Sequence, residues 1–357
     1  MVVNVIAHIV PQVYLKSWCN ERNKNSIYVF DKTIPVPELK NLDVLSKTNF
    51  QRKDEYMLNI EDCCLEIYSE LFEELYNKIK SKYYIKYKEQ EIKSAYKFRN
   101  FCRWMTLENQ TDWVIEDLTT NLRYKYRVFR LEVINIWNLS FREKIEKFFS
   151  EQYENEWLKF LQYLDSIKIS GATKKISMSE ENRKFLIEYL GIQLTRKYGN
   201  FSMFKNIISY YSSMVGIETD LDDIIVKKLW LSSIYKYMLY RKNKDVRYSN
   251  NVVNLMIKYL NSDQITFEIL ISDSIYFLTS DNPIFRHESN NYIEDDNIYF
   301  PINKTLCLRI SSKLSDNKMI TLKKITKTEV KIINNLIKEN AEKHFVCYDT
   351  NFEDYII

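Results

Sequence analysis

The scarcity of glycine and proline limits what this chain can fold into. Only 4 glycines and 5 prolines occur among 357 residues, so few positions suit the tight turns that these two residues favour. A fold made of many β-hairpins needs such a turn roughly every ten residues and is therefore disfavoured. Since 45% of the residues are hydrophobic and 15% are aromatic, the chain can bury a substantial core. These features predict a globular α+β protein that is predominantly α-helical.

Apolar residues recur at helical spacing through the middle of the chain. In residues 61–87, EDCCLEIYSELFEELYNKIKSKYYIKY, the positions of Leu65, Tyr68, Leu71 and Leu75 predict a helix with one apolar stripe. The same spacing predicts further helices at about 91–108, 112–137, 141–166, 179–197, 202–215, 219–241 and 250–261.

The ends of the chain have a different pattern. PQVYLKSWC predicts a short helix near the start, and SIYVF predicts a strand. After about residue 262, short runs such as QITFEILIS, SIYFLTS, IYFPI and TLCLRI predict strands, and KTEVKIINNLIKENAEKH predicts a helix. We therefore predict a mainly helical region at 1–261. A small β-rich subdomain at 262–357 would have an antiparallel sheet covered by a helix, packed as one unit with the N-terminal segment.

Net charge, cysteine spacing and hydropathy indicate where in the cell the protein is located and which partners it has. A net charge of +4 is small for this length and does not by itself indicate nucleic acid. The six cysteines have no CxxC spacing and no pairing with histidine, which disfavours zinc sites and disulfide frameworks. No signal peptide and no apolar run of membrane-spanning length is evident. The sequence predicts a soluble cytoplasmic protein without a membrane partner.

The motifs of the common catalytic classes are missing from the sequence. GxGxxG, GxxxxGK[ST], GxSxG and HExxH do not occur, and 4 glycines cannot form a glycine-rich phosphate loop. Candidate functional residues are therefore individual positions.

Two candidates adjoin predicted element ends. Asp281 and Asn282 follow a strand in FLTSDNPIF, where Pro283 fixes the exit direction, so the carboxylate can be aimed rigidly. The alternative for Asp281 is an Asx-turn closed on its own backbone. His8 precedes a helix start at Pro11 and could act as a metal ligand or a general base. Its alternative role is a hydrogen bond that ties the N-terminal segment to the body.

A helix and a basic segment supply the other candidates. Gln193 and Arg196 share one face of an apolar helix, where Arg196 would bind either an anion or a carboxylate that joins two helices. Residues 78–103 contain nine Lys or Arg and two glutamates, interleaved with tyrosines. This pattern is typical of nucleic-acid binding, and equally of a solvated helix face. The candidate contacts in this segment are Lys82, Lys86, Lys88, Tyr84 and Tyr87.

Several motifs, taken in chain order, resemble the domain of unknown function 4238 family. They are H-x-x-P-x-x-Y-L at His8–Leu15 with Trp18 beyond it, FLIEYLGIQLTRKYGNF, FLTSDNPIF, YFPINKTLCLRI, and IINNLIKENAEKHFVCYD with Asn334, Asn340 and Ala341. Departures are Lys197, where the family has Thr, and Asn303, where it has Ser. The first helical block matches loosely, with Glu70 as the counterpart of a family glutamate.

The resemblance implies no established reaction, but it implies that the candidate residues converge. They are His8, Gln193, Arg196, Asp281 and Asn282. Such a site predicts a metal-dependent nuclease or related phosphate-directed hydrolase acting on RNA or DNA. Asp281, His8 and Glu70 would bind Mg²⁺ or Mn²⁺, and Arg196 would bind a phosphate.

The biological role and two further interpretations are open at this point. By analogy with small solitary bacterial effectors, the protein would be a toxin or a phage-defence effector. The main alternative is a non-catalytic nucleic-acid or protein binding module, in which the same residues form a structural polar network. A third interpretation is group transfer from a nucleotide bound by Arg196 and Asn282.

Overall fold

The computed structural model describes residues 6–8, 10–19, 25–42, 51–53, 60, 63, 66–167, 171–196, 223–263, 265–287, 297–312 and 319–357. The predicted helix at 202–215 lies outside these residues. The chain divides into two compact units. Unit 1 comprises Met1–Ala7 and Arg52–Phe148, and unit 2 comprises His8–Gln51 and Phe149–Ile357. Residue 262, where the sequence changes from helical to strand patterns, lies within unit 2.

Helices and strands alternate along the chain, so the protein is of mixed α and β structure. The α-helices are α1 (Gln12–Leu15), α2 (Ser69–Lys80), α3 (Ala95–Cys102), α4 (Tyr126–Phe149), α5 (Asn155–Ser166), α6 (Glu180–Arg196), α7 (Asp223–Asn243), α8 (Val252–Leu260) and α9 (Lys327–Asn340). The strands are β1 (Ile6–His8), β2 (Ser26–Asp31), β3 (Pro37–Asn41), β4 (Gln51–Lys53), β5 (Tyr83–Tyr87), β6 (Gln90–Glu91), β7 (Trp113–Asp117), β8 (Thr173–Ser177), β9 (Ile265–Ile271), β10 (Thr279–Ser280), β11 (Phe285–His287), β12 (Asn297–Pro301), β13 (Leu306–Ser312), β14 (Met319–Lys324) and β15 (His344–Cys347). None of the described helices combines the length and the apolar character that crossing a membrane requires.

Unit 1 contains a three-stranded antiparallel sheet in the order β6-β5-β7. The helix predicted through residue 87 is therefore wrong in its last part, because α2 ends at Lys80 and the chain continues as β5. Tyr83, Ile85 and Tyr87 are buried at alternate positions, which is the period of a strand. The turn into β6 is formed by Lys88 and Glu89 at φ of 45° and 64°, a left-handed conformation that usually selects glycine or asparagine.

Unit 2 contains two larger sheets. One has the order β11-β12-β13-β9-β14-β8, in which β14 and β9 are parallel. The other has the order β10-β15-β2-β3. The expectation of one small C-terminal antiparallel sheet was too specific. The strands after residue 262 are shared between two sheets, and β2 and β8 from earlier in the chain pair with them.

Helix α9 packs its apolar stripe into a core cluster of unit 2. Val330, Ile333, Asn334 and Ile337 are buried and recur at three- and four-residue steps. The helix begins at Thr326 with a capping box, in which Thr326 and Glu329 exchange side-chain-to-backbone hydrogen bonds. The predicted C-terminal helix is thus confirmed as far as Asn340, where the helix ends, and His344 already begins β15.

Candidate functional site

The segment 276–282, which contains most of FLTSDNPIF, is bound by side chains from distant parts of unit 2. The Trp18 Nε1 donates to the carbonyl oxygen of Phe277 at 2.9 Å. The Tyr14 hydroxyl lies 2.7 Å from Thr279 Oγ1 and donates to the carbonyl oxygen of Pro301 at 2.6 Å. Since Tyr14, Trp18 and Thr279 are all buried, these bonds fix both the backbone and the side chains of the segment.

Asp281 binds the loop that follows α9. Its Oδ1 accepts a hydrogen bond from the amide of Glu342 at 2.8 Å. Its Oδ2 accepts from Lys343 and His344 at 2.9 and 3.0 Å. The side chain is buried, with 5% of its surface exposed. Both carboxylate oxygens are thus engaged with main-chain donors, which is the geometry of a structural anchor.

Asn282 also joins this segment to the end of α9. The main-chain amide of Asn282 donates to Ser280 Oγ at 3.1 Å, so serine closes this turn. An Asx-turn at Asp281 would need the amide hydrogen of residue 283, which is a proline and has none. The Asn282 Nδ2 donates to the carbonyl oxygen of Asn340 at 3.2 Å. Its Oδ1 is buried and has no hydrogen-bond partner among the described residues.

Asn334 on α9 holds the other end of the same segment. Its Oδ1 accepts from the Leu278 amide at 2.9 Å. Its Nδ2 donates to the carbonyl oxygens of Tyr276 and Tyr355, each at 2.9 Å. The side chain is fully buried. Asn334 was noted from sequence only as a recurring position of the resembled family; the structure gives that position a physical role.

The remaining predicted residues are not brought together by the described contacts. Gln193 is buried on α6 in unit 2, whereas Glu70 is exposed in the first turn of α2 in unit 1. The side chains of His8 and Arg196 lie outside the described part of the structure. Among the side chains that are described, no three His, Cys, Asp or Glu residues are grouped so that they could hold a metal ion. The catalytic and metal-binding roles stay predictions.

A fall in pH below about 6.5 is expected to destabilise unit 2 through His344. Burial lowers the pKa of His344 from its ordinary value of 6.5; the charge of Asp281 opposes this shift and that of Lys343 reinforces it. Because the folded-state pKa is the lower one, the unfolded chain takes up the proton first. The contribution of neutral His344 to the stability of unit 2 is therefore complete at pH values above 6.5. It is lost as the pH falls towards the folded-state pKa.

Urea unfolding of wild type and His344→Gln, measured from about pH 7.5 to about pH 5, checks this pH dependence. The wild type should lose more stability over the interval than the variant. His287→Gln, which changes a histidine on β11, serves as the matched control and should follow the wild type. Equal losses in wild type and His344→Gln would contradict the assignment.

The predicted basic segment is distributed over α2, β5 and α3 of unit 1. Lys82 pairs with Glu132 at 3.1 Å and Lys88 with Asp112 at 3.6 Å, so both charges are partly neutralised. Lys86 lies over the ring of Tyr84 at 5.4 Å from its centroid. A further candidate, Tyr87, is buried against Phe101 and Trp113. Of the five predicted contacts, only Lys86 and Tyr84 are neither buried nor paired with a carboxylate among the described residues.

A second basic and aromatic surface lies on α3 and the residues just after it. Tyr96 and Trp104 expose 65% and 41% of their surfaces. The guanidinium of Arg99 lies 5.0 Å from the ring centroid of Tyr96, and that of Arg103 lies 5.0 Å from that of Trp104. We call these four residues the α3 face; Arg103 is exposed, whereas Arg99 is buried beneath the ring of Tyr96 with 9% of its surface exposed. Trp104 was missed in the sequence, where the signal is an arginine directly before a tryptophan.

The local sequence explains why Tyr96, Arg103 and Trp104 of the α3 face are exposed. Ser94 caps the helix by accepting a hydrogen bond from the Lys97 amide at 3.3 Å. Phe98 and Cys102 are buried one turn apart on the opposite side, which turns Tyr96 and Arg103 outward. Residues 92–107 contain four basic and no acidic residues.

Fold and site together define a protein of mixed α and β structure. In unit 2 a buried aspartate, Asp281, anchors a loop through its main-chain amides, and in unit 1 the α3 face carries basic and aromatic side chains. The chain belongs to the family described as Protein of unknown function (DUF4238), whose profile matches residues 7–351. The resemblance inferred from the motifs is thereby confirmed. Searches of curated proteins and of solved structures found no match.

Proposed function

We propose that the chain is a nucleic-acid-binding protein that holds a single strand on the α3 face. The observation that supports this is the pairing of two exposed rings with two guanidinium groups, at Tyr96–Arg99 and Trp104–Arg103. Exposed rings stack on bases of any sequence, and the exposed Arg103 can bind a phosphate between them, whereas Arg99 is buried beside the ring of Tyr96. The absence of acidic residues from 92–107 removes local repulsion of a polyanion.

The hydrogen bonds that the Asp281 carboxylate accepts favour a binding module over a hydrolase. A metal ion at this carboxylate would compete with three amide donors whose bonds to Asp281 hold the loop at 342–344. In the binding module, the 276–282 segment is a structural network and the ligand lies elsewhere. A nuclease dependent on Mg²⁺ or Mn²⁺, a toxin or phage-defence role, and a cytoplasmic location stay predictions.

Replacing Trp104 by alanine is expected to weaken binding of a labelled single-stranded RNA or DNA by about 1–3 kcal/mol. The reason is the loss of one stacking platform. Fluorescence anisotropy at several salt concentrations measures the effect, and Arg103→Gln should also reduce the salt dependence by about one phosphate contact.

A matched control exists in unit 2. The Arg247 guanidinium lies 5.7 Å from the ring centroid of Tyr248, but Asp245 pairs with this arginine at 2.7 Å. The double variant Arg247→Gln/Tyr248→Ala should bind like wild type. Equal affinity of wild type and Trp104→Ala would contradict the proposal, as would failure of the wild type to bind any single strand.

The same oligonucleotides test the hydrolase prediction. Each is incubated with the protein and Mg²⁺ or Mn²⁺, and the products are separated by size. Cleavage that is lost in His8→Ala, in a variant whose circular dichroism is unchanged, would support the nuclease. Binding without cleavage would support the binding module.

A further inference from the structure

A cleft of about 770 Å³ lies in unit 2 between the end of β8, the first half of α6 and the C-terminal half of α8. Its lining includes Ser177, Arg183, Ile187, Ile257 and Asn261. This volume falls within the range of roughly 300–1,000 Å³ that is typical of small-molecule pockets. The cleft belongs to the other unit from the α3 face, and none of the residues predicted from sequence lines it.

Close packing of α6 against α8 forms the floor of the cleft. Gly191 on α6 faces Ile257 on α8, and a Cβ atom added at Gly191 would lie 2.8 Å from Ile257 Cγ1. A residue larger than glycine would force the helices apart. Ile187 and Ile257 therefore present a fixed apolar surface to the cleft.

Arg183 has unused hydrogen-bonding capacity at this surface. Its Nη2 donates to Asn261 Oδ1 at 3.3 Å, whereas its Nη1 is buried with no partner among the described residues. The guanidinium lies 5.8 Å from the ring centroid of Phe267. Burial lowers the pKa of Arg183 from its ordinary value, and the charge of Asp263 opposes that shift. Arg183 is only partly buried, but a buried N–H group without an acceptor is costly, and an anion in the cleft would supply that acceptor to Nη1.

Two other partly buried arginines of unit 2 are neutralised by carboxylates. Arg241 pairs with Glu188 at 2.9 Å, and Arg309 pairs with Glu268. Within the described residues, no carboxylate lies at ion-pair distance from Arg183. Arg183 thus differs from Arg241 and Arg309, each of which has a carboxylate partner.

The charges around the cleft limit the ligand to a small one. Lys184 and Arg183 are its cations, and Glu180 lies at the same end of α6. Glu188 also lines the cleft but is paired with Arg241. A polyanion that extended along the cleft would be repelled by Glu180, whereas a ligand with one anionic group can reach the guanidinium.

We infer that the cleft binds a small organic anion, with its phosphate or carboxylate group on Arg183 and its apolar body against Ile187 and Ile257. The guanidinium offers paired donors that match either group. Ser177 and Asn261 supply polar atoms beside it. The inference does not depend on nucleic-acid binding by the α3 face.

Isothermal titration of the full chain with phenyl phosphate and with benzoate tests this inference. We expect saturable binding of at least one of them, weakened about tenfold or more in Arg183→Gln. Benzyl alcohol and benzylamine, which are neutral and cationic, should bind at least that much more weakly to the wild type. Arg247→Gln, which changes an exposed arginine of the same unit, should not alter the affinity.

Three results would overturn the inference. They are the absence of saturable binding of both anions at millimolar concentration, equal affinity for benzyl alcohol, and unchanged affinity in Arg183→Gln. Thermal unfolding without ligand supplies a separate readout. Because Arg183 has no carboxylate partner among the described residues, Arg183→Gln should leave the Tm unchanged or raise it. A lowered Tm would assign Arg183 a structural role instead.

Discussion

Replacing Asp281 by alanine is expected to lower the free energy of unfolding of unit 2 by about 3–5 kcal/mol. The change removes the acceptor of three amides, at Glu342, Lys343 and His344. Hydrogen bonds to a charged acceptor contribute about 1.5–3 kcal/mol each, and some of the freed amides will be rehydrated by water. Equilibrium unfolding in urea, followed by far-ultraviolet circular dichroism, measures the difference.

Two further variants separate the anchor from a general effect of losing an aspartate. Asp281→Asn retains one acceptor oxygen and should lose about half as much stability. Asp31 also accepts bonds from backbone amides, at Thr33 and Ile34, but it is exposed. Asp31→Ala should therefore have a far smaller effect. If Asp281→Ala is as stable as wild type, the structural role assigned to Asp281 is wrong and the catalytic prediction for this residue gains weight.

Asn334→Ala is expected to have an effect of similar size, about 3–5 kcal/mol. The amide side chain satisfies three backbone groups at once, two buried at Leu278 and Tyr355 and one partly buried at Tyr276. Water has little access to this site because Asn334 is fully buried, so the three groups would lose their partners. The thermal unfolding midpoint and urea unfolding both report the loss.

The matched control is the next residue on the same helix. Asn335 is partly exposed and accepts one long bond, at 3.4 Å from the Ile357 amide, so Asn335→Ala should change stability by less than about 0.5 kcal/mol. Asn334→Leu fills the space without supplying donors or an acceptor. Recovery of wild-type stability in Asn334→Leu would show that volume, not hydrogen bonding, makes Asn334 important.

Local patterns were sufficient to predict elements that depend on their own sequence. SIYVF forms β2, and the apolar stripe and capping residues of KTEVKIINNLIKEN form α9. The hairpin at Lys88 and Glu89 could not be predicted, because neither residue is typical of the left-handed conformation that it adopts. The strand β5 was consequently merged with the preceding helix.

The candidate site shows a second limit of prediction from a single sequence. The position of Asp281 at the end of an apolar run indicated that the residue was special, and the structure places it in an ordered, buried setting. Its partners lie about sixty residues further along the chain, and a single sequence carries no signal for such a pairing. Arg183 was missed for the same reason, since the absence of a carboxylate from its surroundings is visible only after folding.

The division of the chain into units has a consequence for biosynthesis. Strand β2 pairs with β15, with Val29 opposite Val346. This sheet of unit 2 therefore cannot be completed until β15 has been synthesised. At about 5–20 residues per second, a ribosome needs roughly 15 to 60 seconds to make the intervening three hundred or so residues. During that time one edge of β2 is open to other chains. Unit 1, whose described strands and helices from α2 to α4 are nearly continuous in sequence, can fold meanwhile. Newly made protein is therefore most vulnerable to aggregation and to chaperone capture at its first strands.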